Sequence, residues 1–310
     1  MRRVRMPDYE SAHRDFKWDI PETFNFGTDV VDQWAADSDR LALIWCNREG
    51  AESRYTYADM ARLTSQFANL MTARGVRKGD RVLVMLPRIP AWQIAIVGCL
   101  KAGLVPIPCV TMLTASDIAY RIEDANAVAV VTTARDTDKI ADGYDLKARI
   151  SVGGGPGWLD FNTALGEQPD SFDAPRVAAE DPGILYYTSG STGKPKGVLH
   201  ASRAIFTWRV SAWYWLTLDE SDVMWCTSDT GWSKAGTSIL FGPWSTGSTV
   251  LFYDGSFDPR HRFDLLTKYG VSVFCAAATE LRQLILHDVS RYDLGTLRLT
   301  VSAGESVNPE

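Results

Sequence analysis

The sequence holds few nitrogen and sulfur metal ligands, with four histidines, five cysteines and no C-x-x-C pair, which argues against the usual zinc and thioredoxin-like patterns. Cys46, Cys99, Cys109, Cys226 and Cys275 are scattered and odd in number. Reduced, mostly buried thiols in a cytoplasmic protein are expected, not a disulfide framework. Charge of one sign is also scarce. The 32 basic and 38 acidic residues leave a net charge of −6, which gives no footprint for nucleic acid or acidic lipid. Apolar runs are broken by Pro, Gly or charge short of a membrane span. Arg2, Arg3 and Arg5 make a basic start without a following apolar stretch, so a secretory signal is not expected. Neither an internal repeat nor a low-complexity tract is present. What remains is an enzyme-sized chain of 310 residues, 45% apolar and 23% charged, long enough for one large domain or two ordinary ones.

The pattern along the chain is mostly βα alternation. Thr56 and Asp59 form a capping box ahead of the stripe Met60, Leu63, Phe67, Leu70 and Met71, and Gly75 ends that helix. Arg81–Leu86 reads as a buried strand. Pro90 opens a second helix that Gly103 stops, Thr114 and Asp117 cap a third, and Val128–Thr132 is a further strand. From Gly153 to Glu180 the periodicity fades and Gly, Pro and Asp accumulate, which places a subdomain junction there. Alternation resumes with strand Ile184–Tyr187, helix Ser202–Trp215 and strands Val223–Thr227 and Thr249–Tyr253. A helix within Arg260–Tyr269, strand Val271–Cys275, helix Glu280–His287 and strand Leu297–Val301 complete the series. Apolar strands separated by helices predict largely parallel sheets covered on both faces. The expected fold is α/β, with an N-terminal arm (residues 1–24) and two stacked sheet-and-helix subdomains (residues 25–165 and 166–310).

The run Tyr187-Thr-Ser-Gly-Ser-Thr-Gly-Lys-Pro-Lys-Gly197 leads straight out of a predicted strand. Its three glycines permit a tight turn that aims several N–H groups at one anion. Thr188, Ser189, Ser191 and Thr192 add hydroxyls, while Lys194 and Lys196 add positive charge. A polyphosphate fits this set best. The run is not a Walker A loop, because Pro195 follows Lys194 where Ser or Thr would open a helix. A flexible Gly/Ser linker shares the composition, but not the length of the run or its place after a strand.

This run resembles the signature of the superfamily of acyl-CoA synthetases, luciferases and peptide-synthetase adenylation domains. Those enzymes join a carboxylate to ATP, release pyrophosphate and pass the acyl group to an acceptor. Tyr55–Met60 and Leu100–Pro106 resemble two further boxes of that superfamily, and both also read as plain helix-entry and helix-exit signals. Asp229-Thr-Gly-Trp232 is similar to medium-chain acyl-CoA synthetases in particular. So are Met224-Trp225 before it and Phe241–Trp244 and Val273–Cys275 after it.

The resemblance implies ATP, Mg2+ and CoA as cofactors and a small or medium-chain carboxylic acid as substrate. Carried onto matching positions, it makes Thr188, Ser189, Gly190, Ser191, Thr192, Gly193, Lys194 and Lys196 the phosphate cradle. Lys196 would neutralise the departing pyrophosphate, and Thr188 is the candidate for a magnesium contact. Trp232 would gate an acid pocket and a thiol tunnel, with Ala235, Gly236, Phe274 and Ala278 lining the cavity. Read singly, Trp232 is equally a core tryptophan. Gly304, Glu305 and Ser306 would lie along the adenine, although a strand-to-helix turn explains the same residues. Two positions depart from the family: three alanines (Ala276, Ala277, Ala278) stand where a proline is common, and Ser306 follows Glu305. Asp229 is the only carboxylate near the Trp232 box and belongs to a turn, which disfavours an amino-acid substrate and hence an amino-acid adenylation domain.

The resembled enzymes continue beyond the part matched by residues 20–310. They add a magnesium-binding glutamate, a ribose-binding aspartate, a β-barrel and a mobile domain bearing a lysine. A second expectation is therefore a non-catalytic fragment or remnant with weak nucleotide binding, an exposed sheet edge and poor solubility. The sequence carries no indication of oligomeric state.

Overall fold

In a computed structural model the protein is described over residues 8–189 and 193–307. Thirteen strands occur among these residues. They are β1 (Leu41–Asn47), β2 (Glu52–Thr56), β3 (Arg81–Val84), β4 (Val105–Pro108), β5 (Ala127–Thr133), β6 (Ala148–Val152) and β7 (Leu159–Asp160). Then come β8 (Pro182–Thr188), β9 (Lys196–Ala201), β10 (Val223–Cys226), β11 (Thr249–Asp254), β12 (Val273–Cys275) and β13 (Leu299–Val301).

They form a six-stranded sheet in the order β13-β12-β10-β11-β1-β2, a five-stranded sheet in the order β4-β3-β5-β6-β7, and a two-stranded hairpin of β8 and β9. Pairing is parallel except between β1 and β2 and within the hairpin. The fold is thus the expected α/β arrangement with two main sheets. The sheets do not divide at residue 165, however: β1 leaves the N-terminal part of the chain and pairs in parallel with β11. Its register, Leu43 against Val250 through Asn47 against Asp254, spans about 200 residues of sequence.

Strand parity sorts the side chains. In the larger sheet Leu43, Met224, Val250, Phe252 and Val273 face a central core, while Ile44, Trp225, Leu251, Tyr253 and Phe274 face an outer one. Val82, Val84, Ala129 and Val131 of the five-stranded sheet join the same central core. Between the sheets lie two helices, Tyr57–Ala73 and Pro90–Lys101. The first carries the capping box read from Thr56 and Asp59. The second is buried from Ala91 to Lys101, as expected of a helix apolar on all sides. Even Lys101 is buried: its ammonium donates to Asp32 (2.7 Å), the Ala61 carbonyl and the Ser65 hydroxyl. The outer faces are closed by helix Pro259–Lys268 on one side and Ala115–Ala125 on the other.

At the amino ends of three parallel strands a buried ion pair fixes their alignment. Arg298, just before β13, donates to both oxygens of Asp222, just before β10, at 3.0 and 2.7 Å. Ser272, just before β12, donates to the same carboxylate at 2.7 Å, and Arg298 also reaches the Thr217 hydroxyl and carbonyl. Both charged side chains are nearly inaccessible. Removing one partner strands the other charge in the interior. Asp222→Ala is therefore expected to lose about 3–5 kcal/mol in a urea unfolding titration. The double variant Asp222→Leu/Arg298→Met should recover a large part of that loss, since apolar replacement of the whole pair removes the uncompensated charge.

Candidate active site

The opposite, carboxyl ends of β10, β12 and β13 open onto a cavity of about 590 Å3. Parallel strands deliver their following residues to one edge, where ligands of open α/β sheets bind. Here the amide of Thr227 donates to the Cys275 carbonyl and that of Ala276 to the Val301 carbonyl. The segments Thr227–Asp229, Ala276–Ala277 and Ala303–Glu305 are thereby brought to one rim, with Trp232, Ser233 and Lys234 across from them.

Trp232 is 57% exposed, so it is not a core residue. It lines this cavity and also a second, smaller one with Pro108, Cys109, Leu113, Arg121 and Tyr187. The turn that presents it is held from inside. Asp229 accepts the Gly231 amide at 3.0 Å, and the Thr230 hydroxyl donates to the Leu86 carbonyl at 2.6 Å. Gly231 is pressed against the backbone of Cys109 and Val110, where no side chain fits.

On either side of residues 190–192, the run expected to cradle phosphate forms an antiparallel pair of strands. Thr188 ends β8 opposite Lys196, which begins β9, so Lys196 belongs to a strand rather than to the loop itself. Thr188, Ser189, Gly193, Lys194 and Lys196 are all exposed at its tip, while Gly190, Ser191 and Thr192 lie outside the described residues. Helix Ala115–Ala125 anchors the hairpin. Tyr187 donates to Asp124 at 2.6 Å, Tyr120 donates to the Pro195 carbonyl at 3.0 Å, and Arg121 stacks on the Tyr187 ring. The Lys194 ammonium stands 4.9 Å over the Tyr120 ring. This contact occupies one face of Lys194, and no such contact involves Lys196 among the described residues.

Several residues expected to line an acid pocket do not line this cavity. Phe274 faces the outer core against Trp225, because it alternates with Val273 and Cys275 on β12; Cys275 is the one that faces the cavity. Ala235 and Ala278 are fully buried, and Gly236 sits under the Tyr186 hydroxyl. Ala276 and Ala277 line the cavity in place of Ala278. Trp244 is a core residue whose indole donates to the Ala42 carbonyl.

Asp229 is also not the only carboxylate of the cavity, because Glu280 and Glu305 line it too. Each is already matched. Glu280 accepts from Arg262 at 2.6 Å and from Thr227 at 2.7 Å. Glu305 accepts the Thr279 amide and hydroxyl, and Arg282 reaches both its carboxylate and the Ser306 carbonyl. Those bonds to Thr279 and Arg282 hold the Glu305 carboxyl below its usual range. Gly304 adopts a φ of +100°, which lets the turn between Ala303 and Glu305 close over the rim. Lys234 and Glu280 also line the cavity, and no local motif marks them in the sequence. Their type was visible, but the helix faces that aim them inward were not.

Two largely parallel sheets, with helices between them and on their outer faces, define an α/β fold whose strand ends open onto the cavity at Trp232. The chain belongs to the AMP-binding enzyme family, whose description matches residues 30–310. It is 38% identical over 318 residues to the mouse (Mus musculus) acyl-coenzyme A synthetase ACSM3, mitochondrial. To ACSM4 of Rattus norvegicus and ACSM5 of Homo sapiens it is 34% and 33% identical. These alignments take in 98, 99 and 94% of this chain but 55, 55 and 53% of the relatives, so the chain spans about half their length. Among solved structures, the Brucella canis acyl-CoA synthetase superposes with a TM-score of 0.89 at 24% identity, covering 97% of this chain and 58% of that one. The anthranilate CoA ligase AuaEII in complex with anthranoyl-AMP gives 0.82 at 23% identity, covering 93% and 56%. At these identities the likeness establishes the fold.

The packing of Gly231 yields a direct test. Gly231→Ala is expected to destabilise the chain by about 1–3 kcal/mol, the usual cost of overpacking against immovable backbone. Gly143→Ala, in open space, serves as the neutral control in the same denaturant titration.

Proposed function

We propose that this chain is the ATP- and acid-binding part of an AMP-forming acyl-CoA synthetase. The observation that carries the reading is the position of Trp232. It shares one cavity with Gly304 and Glu305 and another with Tyr187 at the base of the phosphate hairpin. Adenine, acid and phosphates would then meet at one tryptophan.

In this reading Lys196, Thr188 and the hairpin amides cradle the phosphates, and Lys196 offsets charge on the departing pyrophosphate. The turn Ala303–Glu305 receives the adenine. The acid is already an anion, so no general base is required; positioning and charge neutralisation supply the rate. CoA would enter past Trp232, whose rigid ring turns on two torsions. No three His, Cys, Asp or Glu side chains converge among the described residues. Within this part of the protein the Thr188 hydroxyl is the group that would stand beside a magnesium ion carried on the nucleotide's phosphates, as this ion commonly is. An amine-bearing substrate is disfavoured because Glu280 and Glu305 are already paired.

No helix among the described residues is long and apolar enough to cross a membrane. All five cysteines are free and buried. A compartment with reduced thiols suits them. Cytosol and mitochondrial matrix both qualify, and the mammalian relatives are mitochondrial by name.

Pyrophosphate release from ATP with butyrate, hexanoate or benzoate tests the activity; turnover would refute a non-catalytic remnant. ATP binding tests the hairpin separately. Lys196→Gln should weaken it about 10–100-fold, the worth of a charge-assisted hydrogen bond. Lys194→Gln should cost clearly less, since its ammonium already rests on Tyr120. Equal losses for the two variants would contradict this division of labour.

A further inference from the structure

We infer that Lys234 binds the carboxylate of the substrate acid, holding it at the junction between the acyl side and the nucleotide side of the cavity. This rests on the acid-activation reading given above.

Lys234 follows Trp232 by two residues and lines the same cavity. Its side chain crosses to the opposite rim, where the ammonium donates to the Ala303 carbonyl. It thereby links the Trp232 segment to the turn proposed for adenine, and any group that passes from one to the other must meet it. The reacting carboxylate is that group, since it has to lie between its own alkyl chain and the nucleotide's α-phosphorus.

The charge balance points the same way. An ammonium has three donors, and the Ala303 carbonyl takes one. No carboxylate pairs with Lys234 among the described residues. The candidates nearby are engaged: Glu280 with Arg262, Glu305 with Arg282, and Asp229 with the Gly231 amide. A half-buried ammonium bound to one carbonyl gains most from an incoming anion. Its field is felt at the cavity wall. The Cys275 thiol is held below the usual thiol range, first by the hydrogen bond from Cys226 and then with the help of the Lys234 charge. The alanines Ala276, Ala277 and Ala303 leave room for a ligand beside it and offer no competing side-chain acceptor.

The test compares binding of hexanoate and its neutral isostere hexanamide to the whole chain, with a non-hydrolysable ATP analogue present. The wild type should prefer hexanoate by about 10-fold or more. Lys234→Met and Lys234→Gln should abolish that preference by weakening hexanoate alone, while Lys234→Arg keeps it. The glutamine variant retains a donor for Ala303, which guards against a result caused by misfolding. Hexanoate bound equally by wild type and both neutral variants would overturn the inference and leave acid binding intact. So would a loss of ATP-analogue affinity as large as the loss for hexanoate, because the ammonium would then serve the nucleotide. If wild type with the analogue bound takes neither ligand, the acid-activation reading itself fails and this inference with it.

Discussion

The rest of the molecule depends on the parallel register of β10, β12 and β13. Met224, Val273 and Leu299 stand side by side, and two steps later Cys226, Cys275 and Val301 do the same. Parallel hydrogen bonding lets three chain segments end at one level, and each hands its next residues to the same rim. The buried Asp222–Arg298 pair holds this alignment from the amino ends. A site whose residues come from positions 227, 276 and 303 is therefore as well ordered as the sheet edge beneath it. One slipped residue would turn Cys275 away from the cavity and Phe274 into it.

A second theme is how charge is managed around the cavity. The Arg262 guanidinium lies over the rings of Trp225 and Tyr253 in the outer core and of the exposed Phe257, and from there it reaches Glu280 at the cavity wall. The cavity's carboxylate is thus neutralised from behind the sheet by a cation that the ligand never meets. Thr227, bonded to the same carboxylate, is fixed by it. Glu305 is handled similarly by the first turn of helix Ala278–Leu284 and by Arg282. What faces the ligand is less acidic than the residue names suggest.

Much of this was legible in the sequence. The capping boxes at Thr56/Asp59 and Thr114/Asp117 formed as read, because they depend on residues three apart. The α/β class followed from apolar runs between helices. The glycines and hydroxyls of Thr188–Gly197 and the Asp229–Trp232 box pointed to the right family, because their spacing reflects local backbone needs. Long-range pairing was not legible. Nothing near Leu41–Asn47 announces a partner at Thr249–Asp254, and Lys196–Ala201 joins a hairpin only because β8 offers it an edge. The side of the sheet on which Phe274 lies was hidden for a related reason. On a strand buried on both faces, hydrophobicity does not tell which parity looks at the ligand. Lys234 and Glu280 reach the cavity only through the tertiary frame.

The parallel pairing of β1 with β11 also governs how the chain can fold as it is made. β1 is complete after 47 residues, but its neighbour on the β11 side is not finished until residue 254. Until then the apolar residues Leu43, Ile44 and Trp45 have only the short β2 beside them, and the surrounding core is unfinished. Contacts of such large sequence separation form late and slowly, and they leave strand edges open to wrong partners in the meantime. The five-stranded sheet, whose strands all fall between residues 81 and 160, carries no such delay. Synthesis from the amino end would therefore assemble the five-stranded sheet first. The larger sheet, and the cavity at its edge, would be completed only after the chain has doubled back to its beginning.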